Sequence, residues 1–353
     1  MSQPTPPRPD RAAVPEDLRR LIAHAGGDPD NAHGRNIQDT LLAALKLVND
    51  GSDVGEVKLI ARSLKELRYA LKVFRPYRET PKISVFGSAR TPEDHPDYLQ
   101  CVRFSRTMAE AGWMVITGAG DGIMRAGHDG AQRENSFGVA IRLPFETTAN
   151  DVIAGDEKLI TFRYFFTRKL IFMWMSHAVA LFPGGFGTQD EGFEALTLIQ
   201  TGKAPLVPIV MVDAVDADGN GYWHHWDNYV THSLLANGWI SPEDKNLYFV
   251  TDDASAAARH VIDFYRNYHS QRYVRDQLAL RVRRPISEKQ LAALNEEFAS
   301  LVADGKIEQS GPLQGEREVL NLPRVQFHHT KSGFGKLRML INRLNEFDAQ
   351  NAR

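Results

Sequence analysis

The chain has 353 residues, 42% of them hydrophobic and 24% charged, enough to bury the core of one large α/β domain with appendages or of two modest domains. Its formal net charge of −2 supplies no global field of the kind that draws a protein onto nucleic acid, and no nucleic-acid partner is expected. The single cysteine, Cys101, excludes an intrachain disulfide framework and a cysteine metal cluster.

The opening MSQPTPPRPDRAAVPED is Pro-rich and polar, lacks the apolar core of a secretory signal, and predicts a disordered start to a cytoplasmic protein. Helical patterns follow up to about residue 80. One covers Leu41–Val48 and ends at Asn49-Asp50-Gly51; another covers Val57–Phe74, with apolar residues at three- and four-residue steps. Nothing in residues 1–80 carries obvious chemistry, so this zone reads as a helical extension.

From 81 to 268 the pattern alternates between strands and helices. Ile83–Phe86 runs into Gly87-Ser88, Met114–Thr117 into Gly118-Ala-Gly-Asp-Gly122, and Gly138–Leu143 ends at Pro144. Val179–Phe182, Leu206–Val212 and Leu247–Val250 are further strands, and helices are expected at Tyr98–Ala111 and Glu191–Thr201. Such alternation predicts a mostly parallel, doubly wound sheet, in which ligands bind outside the carboxyl ends of the strands. The stretch Ile171–Phe182 is the most apolar, but it carries His177 and is too short to span a bilayer.

Residues 269–353 form a mildly basic C-terminal extension, with Arg272, Arg275, Arg281, Arg283 and Arg284 close together. A helix over Ser287–Ala303, a hairpin after Asp304-Gly305 and a last helix over Lys336–Phe347 predict a small α+β module. It could be a winged element touching nucleic acid; the commoner reading is packing against its own domain or a partner subunit.

The most informative segment is Ala178–Glu191, which reads PGGxGTxxE after an apolar strand. A strand, a glycine turn through Gly184, Gly185 and Gly187, and a helix starting near Thr188 present backbone N–H groups and a positive dipole end to an anion. The Arg168-Lys169 pair lies upstream in an aromatic and apolar setting. A guanidinium flanked at helical spacing by Tyr164, Phe165, Ile171 and Phe172 needs a carboxylate or phosphate partner, or stacks as a structural residue. Lys169 is a second anion contact or a solvated charge. Thr188-Gln-Asp-Glu191 also fits a capping box, which would engage Glu191 without any active site, and locally the two readings balance. The turns at Gly87-Ser88 and at Gly118 and Gly120 are each weak alone, but three on successive strand ends make a nucleotide-sized cleft. The pairs His224-His225 and His328-His329 lack metal-ligand spacing, and neither a GxSxG elbow nor a Walker A lysine occurs.

Taken together, Gly87-Ser88, Thr117–Met124, Arg168-Lys169 and Pro183–Glu191 resemble the LOG ("lonely guy") family, phosphoribohydrolases once misassigned as lysine decarboxylases; the resemblance covers roughly residues 80–265. It implies a Rossmann-like core over 81–268 and a homodimer or larger homo-oligomer with active sites near the subunit interface. It also implies hydrolysis of nucleoside 5′-monophosphates, AMP-like or cytokinin riboside, to free base and ribose 5-phosphate, with no metal or organic cofactor. Arg168 and Glu191 take the places of the catalytic pair, and Gly184, Gly185, Gly187 and Thr188 those of the phosphate turn. Ala119 and Asp121 depart from a region often written GGG, and Arg125 follows Met124, which leaves the base open. The competing expectation is a non-catalytic nucleotide or cofactor carrier on the same fold.

Overall fold

The computed structural model describes residues 14–142, 149–215, 219 and 221–351. The expected disordered start and the expected strand end at Leu143-Pro144 lie outside the described residues, apart from positions 14–17 of the former. The chain falls into two compact units divided between Arg68 and Tyr69. In the first, α1 (Val14–His24) and α2 (Ala32–Lys46) are joined by a turn in which the Asn31 side chain caps α2 by accepting from Gly34 N at 2.8 Å. Helix α3 (Val54–Phe74) starts where Asp53 and Glu56 exchange side-chain and backbone hydrogen bonds.

The second unit is built on seven parallel strands: β1 (Lys82–Phe86), β2 (Met114–Thr117), β3 (Ser136–Ile141), β4 (Leu159–Phe162), β5 (Ala178–Leu181), β6 (Ile209–Val212) and β7 (Tyr248–Thr251). Their order, β4-β3-β2-β1-β5-β6-β7, is that of a doubly wound α/β sheet. The chain lays down β1 to β4 in one direction and then returns to place β5 on the other side of β1. That reversal opens a crevice beyond the ends of β1 and β5, where the first and last glycine turns lie.

Alternation along β1 divides the sheet faces. Ile83 and Val85 join a core with helices α4 (Pro96–Glu110), α5 (Ile123–Ala131) and later α9 (Ala254–Phe264). On the opposite face Phe86 meets Phe172 of α6 (Phe165–Met175) edge-on, and Leu181 packs beneath Gly192 of α7 (Phe186–Gln200). Between β6 and α9 lies α8 (Tyr222–Tyr229), whose Trp223 and Trp226 are buried. Strand β6 is shorter than its apolar run because Pro208 cannot donate to a ladder; its carbonyl instead accepts from Val179 N. The apolar stretch 171–182 is divided between α6 and β5, and among the described residues no helix is long and apolar enough to cross a membrane.

Beyond α9 an antiparallel sheet of order β10-β11-β9-β8 forms from β8 (Tyr268–Val274), β9 (Gln277–Val282), β10 (Val302–Ser310) and β11 (Arg324–His329). Helix α10 (Glu288–Glu297) begins with a Ser287–Gln290 capping box and stops before the expected Ala303. Asp304-Gly305 is therefore inside β10, at a register irregularity, and not at a hairpin turn. The basic cluster is not a continuous charged face. Arg281 of β9 is buried against Glu316 at 2.8 Å, and Arg284 pairs with Asp348 of α11 (Phe334–Asn351). Asn345 of α11 accepts from Asn267 N and Tyr268 N and donates to Phe264 O, fastening the last helix to the end of α9.

Candidate active site

At the β1/β5 crevice the chain ends are tied together through one residue. Ser88 N donates to Pro183 O at 3.0 Å and Ser88 O accepts from Ile123 N at 3.0 Å, joining the turns after β1 and β5 to the start of α5. Both backbone groups of Ser88 are thus consumed, and its hydroxyl accepts from Arg90 N at 3.1 Å at the cleft lining. Glycine is needed at two points of this brace. A Cβ at Gly87 would lie 2.6 Å from the Ile123 side chain, and one at Gly184 would lie 2.1 Å from Thr188 Oγ1 and 2.9 Å from Ser88 N.

Helix α7 starts earlier than its sequence suggests. Gly185 is its N-cap and Phe186 its first residue, so Thr188 sits inside the first turn and no side chain caps the helix. The capping-box reading of Thr188 and Glu191 therefore does not hold: a box requires its threonine outside the helix. The first N–H groups of α7, beginning with Phe186 and Gly187, have no carbonyl partner within the helix and face the crevice as an anion-accepting end.

The crevice is a cleft of about 730 Å³, within the usual range for a small-molecule site. It is lined by Gly87, Ser88, Gly118, Arg168, Gly185, Gly187, Thr188 and Glu191, together with Arg90, Met124, Phe165 and Phe186. Eight of the residues singled out in the sequence meet there. Gly120, Lys169 and Gly184 do not line it: Gly120 and Gly184 serve the turns, and Lys169 stands behind Glu191. The sequence reading missed Arg90, Phe165 as a wall, and Phe186; a signal existed for Phe186, an aromatic in the middle of the glycine turn.

Glu191 projects from the second turn of α7 and is 8% exposed. Among the described residues no hydrogen bond reaches its carboxylate. The nearest ammonium, Lys169 Nζ, is 4.0 Å away and is itself held by Asp190 and Glu194 at 2.8 Å each. Burial pushes Glu191 up to about 7, against the downward pull of Lys169 and Arg168. A carboxylate that changes charge near neutrality in a cleft is suited to proton transfer.

Arg168 lies on α6 with its Nε donating to Val139 O at 2.8 Å and its guanidinium 5.2 Å from the centre of the Phe172 ring. A Cβ at Gly118 would come within 2.6 Å of Arg168 Nη2, so the bare glycine makes room for the guanidinium. The turn after β2 carries real backbone strain at Ala119, whose φ is +66°, and Gly122 has φ +59°. Among the described residues no group of three or more His, Cys, Asp or Glu is placed to hold a metal ion.

The chain is similar to known proteins over a region that holds most of this cleft. The family described as "Possible lysine decarboxylase" matches residues 121–261. A cytokinin riboside 5′-monophosphate phosphoribohydrolase of Mycobacterium tuberculosis (strain ATCC 25618 / H37Rv) is 30% identical over 156 residues, 43% of this chain and 78% of that protein. Among solved structures, the molybdenum cofactor carrier protein of Chlamydomonas reinhardtii aligns with a TM-score of 0.36 at 21% identity, over 52% of this chain and 97% of that one. The molybdenum cofactor binding protein of Rippkaea orientalis aligns with a TM-score of 0.35 at 18% identity, over 50% and 92% respectively. The mycobacterial relative matches across most of its own length, and on that similarity the chain belongs to the LOG family.

Proposed function

We propose that the cleft hydrolyses the N-glycosidic bond of nucleoside 5′-monophosphates, AMP-like purine nucleotides first, to a free base and ribose 5-phosphate. The observation that carries this reading is the pairing, within one cleft, of an unbonded carboxylate near neutrality with an open helix N-terminus. The phosphate would sit on the first N–H groups of α7, with Thr188 and the Ser88 hydroxyl beside it. Its binding energy, remote from the reacting bond, would place C1′ near Glu191. As the C1′–N bond breaks, its electron pair leaves with the base, whose nitrogen takes up a proton from solvent; positive charge develops on the ribose, and water oxygen bonds to C1′. The Glu191 carboxylate offsets that charge and takes a proton from the attacking water. Arg168 aims the carboxylate or contacts the ribose, and the rings of Phe165 and Phe186 offer apolar faces to the base.

The described residues lining the cleft include no lysine to condense with a carbonyl, which favours glycoside hydrolysis over amine-lyase chemistry. The relative's name adds support for a phosphorylated nucleoside as the ligand. Along α6, Phe166, Leu170 and Trp174 form an exposed stripe at four-residue spacing, with Trp174 73% exposed. We read it as the homodimer contact, next to the cleft. Cys101 is buried and free, in keeping with an enzyme of the cytoplasm.

The test is incubation of the purified protein with a panel of nucleoside 5′-monophosphates and the matching nucleosides, reading free base and ribose 5-phosphate. Release from the monophosphates alone is the expected result. Tight nucleotide binding without release would replace the hydrolase reading by that of a carrier.

A further inference from the structure

The turn that floors Arg168 is held from below by three buried polar side chains that the proposed chemistry leaves unused. Thr117, the last residue of β2, accepts from Ala119 N at 3.0 Å and lies 3.0 Å from His128 Nε2. His128, on α5, is fully buried, and its Nδ1 is 3.2 Å from Asn150 Oδ1. Asn150 in turn donates from Nδ2 to Gly120 O at 2.9 Å, and from its backbone N to Ala119 O at 2.8 Å.

Gly120 O can only accept, so the Asn150 amide nitrogen faces it and Oδ1 faces the imidazole. Phe137 O, 3.1 Å from Nε2, can likewise only accept, so each imidazole nitrogen faces an acceptor and Nε2 is shared between Phe137 O and the Thr117 hydroxyl. The circuit holds whichever nitrogen carries the proton, because Thr117 and Asn150 bracket the ring from its two nitrogens. The resulting circuit runs Ala119, Thr117, His128, Asn150 and back to Gly120 and Ala119. It begins and ends on the strained turn. A non-glycine residue at φ +66° persists only where its surroundings over-determine it, and this circuit supplies that constraint.

We propose that Thr117, His128 and Asn150 are positioning residues for Arg168: they lock the Gly118–Gly120 turn against which its guanidinium rests, and so set the alignment of the Arg168–Glu191 pair. The assignment rests on the hydrolase reading above for its kinetic consequence, but not for its structural one. The proposed phosphate site is the start of α7, away from the circuit, so loss of the circuit should act on the reacting bond and not on phosphate binding.

The decisive variants are Thr117→Val, which keeps the shape and removes the hydroxyl, and Thr117→Ser, which restores it. Asn150→Leu, which keeps the backbone bond to Ala119 O, serves as a second lesion should Thr117→Val fail to fold. Thr117→Val should lower kcat roughly tenfold to a hundredfold while KM and the affinity for inorganic phosphate stay within about twofold, and Thr117→Ser should recover most of the loss. Unchanged kcat in a folded Thr117→Val or Asn150→Leu protein would overturn the proposal. So would a parallel fall of kcat, phosphate affinity and thermal stability that Thr117→Ser does not rescue, since that is a core residue doing only core work. If the wild type releases no base, the same variants are read without turnover, by amide exchange of residues 118–122 and the Arg168 Nε–H resonance. Faster exchange with a displaced resonance would uphold the positioning role while the hydrolase reading fell; no change in either would sink it.

Discussion

Glu191 and Glu316 are nearly equally buried, at 8% and 9% exposure, yet their carboxyl groups are pushed in opposite directions. Burial raises Glu191 to about 7, because Lys169 stands 4.0 Å off and is shared with two other carboxylates. Glu316 sits in the C-terminal module between Arg281 and Arg324, at 2.8 and 3.0 Å, and accepts from Leu313 N as well. Burial pushes it upward too, but these charge-assisted bonds win and hold it near 2. Desolvation with no hydrogen-bond donor on the carboxylate raises its pKa, and desolvation with charge-assisted hydrogen bonds lowers it. The difference separates the candidate catalytic carboxylate from a structural ion pair.

The largest effect should come from removing the reactive carboxylate. Glu191→Gln is expected to lower kcat by about 10² to 10⁴ while sparing phosphate binding. Unchanged turnover would remove Glu191 from the mechanism. The same variant should be more stable than the wild type above neutrality. The raised Glu191 carboxyl favours the folded state while it is protonated, fully so below about 4.5, and that contribution is lost as pH rises through about 7. The shift corresponds to a difference on the order of 3 kcal/mol, read from denaturation midpoints at pH 5 and pH 8.5.

Glu316→Gln should do the reverse. It leaves two buried guanidinium groups short of a counterion and should cost about 3–5 kcal/mol in chemical denaturation, with kcat unchanged at temperatures where the variant is folded. The wild-type contribution is present above about 4.5 and lost as pH falls through about 2. A variant as stable as the wild type would show that the pair of arginines is compensated elsewhere.

The smallest effect sharpens the comparison from the other side. Lys169→Met removes the cation that restrains Glu191 and leaves Asp190 and Glu194 beside it. The acid limb of kcat/KM should move upward from about 7, costing a few-fold in rate at pH 7 that is regained at higher pH. An unmoved limb would assign that titration to another group.

Much of the core was legible along the chain. Six of the seven parallel strands were visible as apolar runs, five of them ending directly in glycine, proline or aspartate, and their alternation with helices predicted a doubly wound sheet. Strand β4 was missed because Leu159–Phe162 is four residues with one side chain exposed, too short for a periodic signal. The β8–β9 hairpin was missed because its turn, Arg275-Asp276, contains no glycine although Arg275 has φ +56°. Eight of the eleven candidate site residues reach the cleft, because strand ends and glycine turns are local features that the parallel sheet gathers on one edge. Lys169 does not, since one position along α6 turns a side chain by about 100°.

The sequence by itself determined the strand, turn and helix around Pro183–Glu191 and the need for glycine there, since apolar runs, helix starts and tight turns are properties of neighbouring residues. Only the tertiary structure decided that α7 begins at Phe186, that among the described residues Glu191 has no hydrogen-bond donor while Glu316 has several, and that Thr117, His128 and Asn150 close a circuit under Arg168. Those outcomes depend on which distant groups burial brings within 3 to 4 Å. A carboxylate's charge state follows from that neighbourhood and not from its own place in the chain.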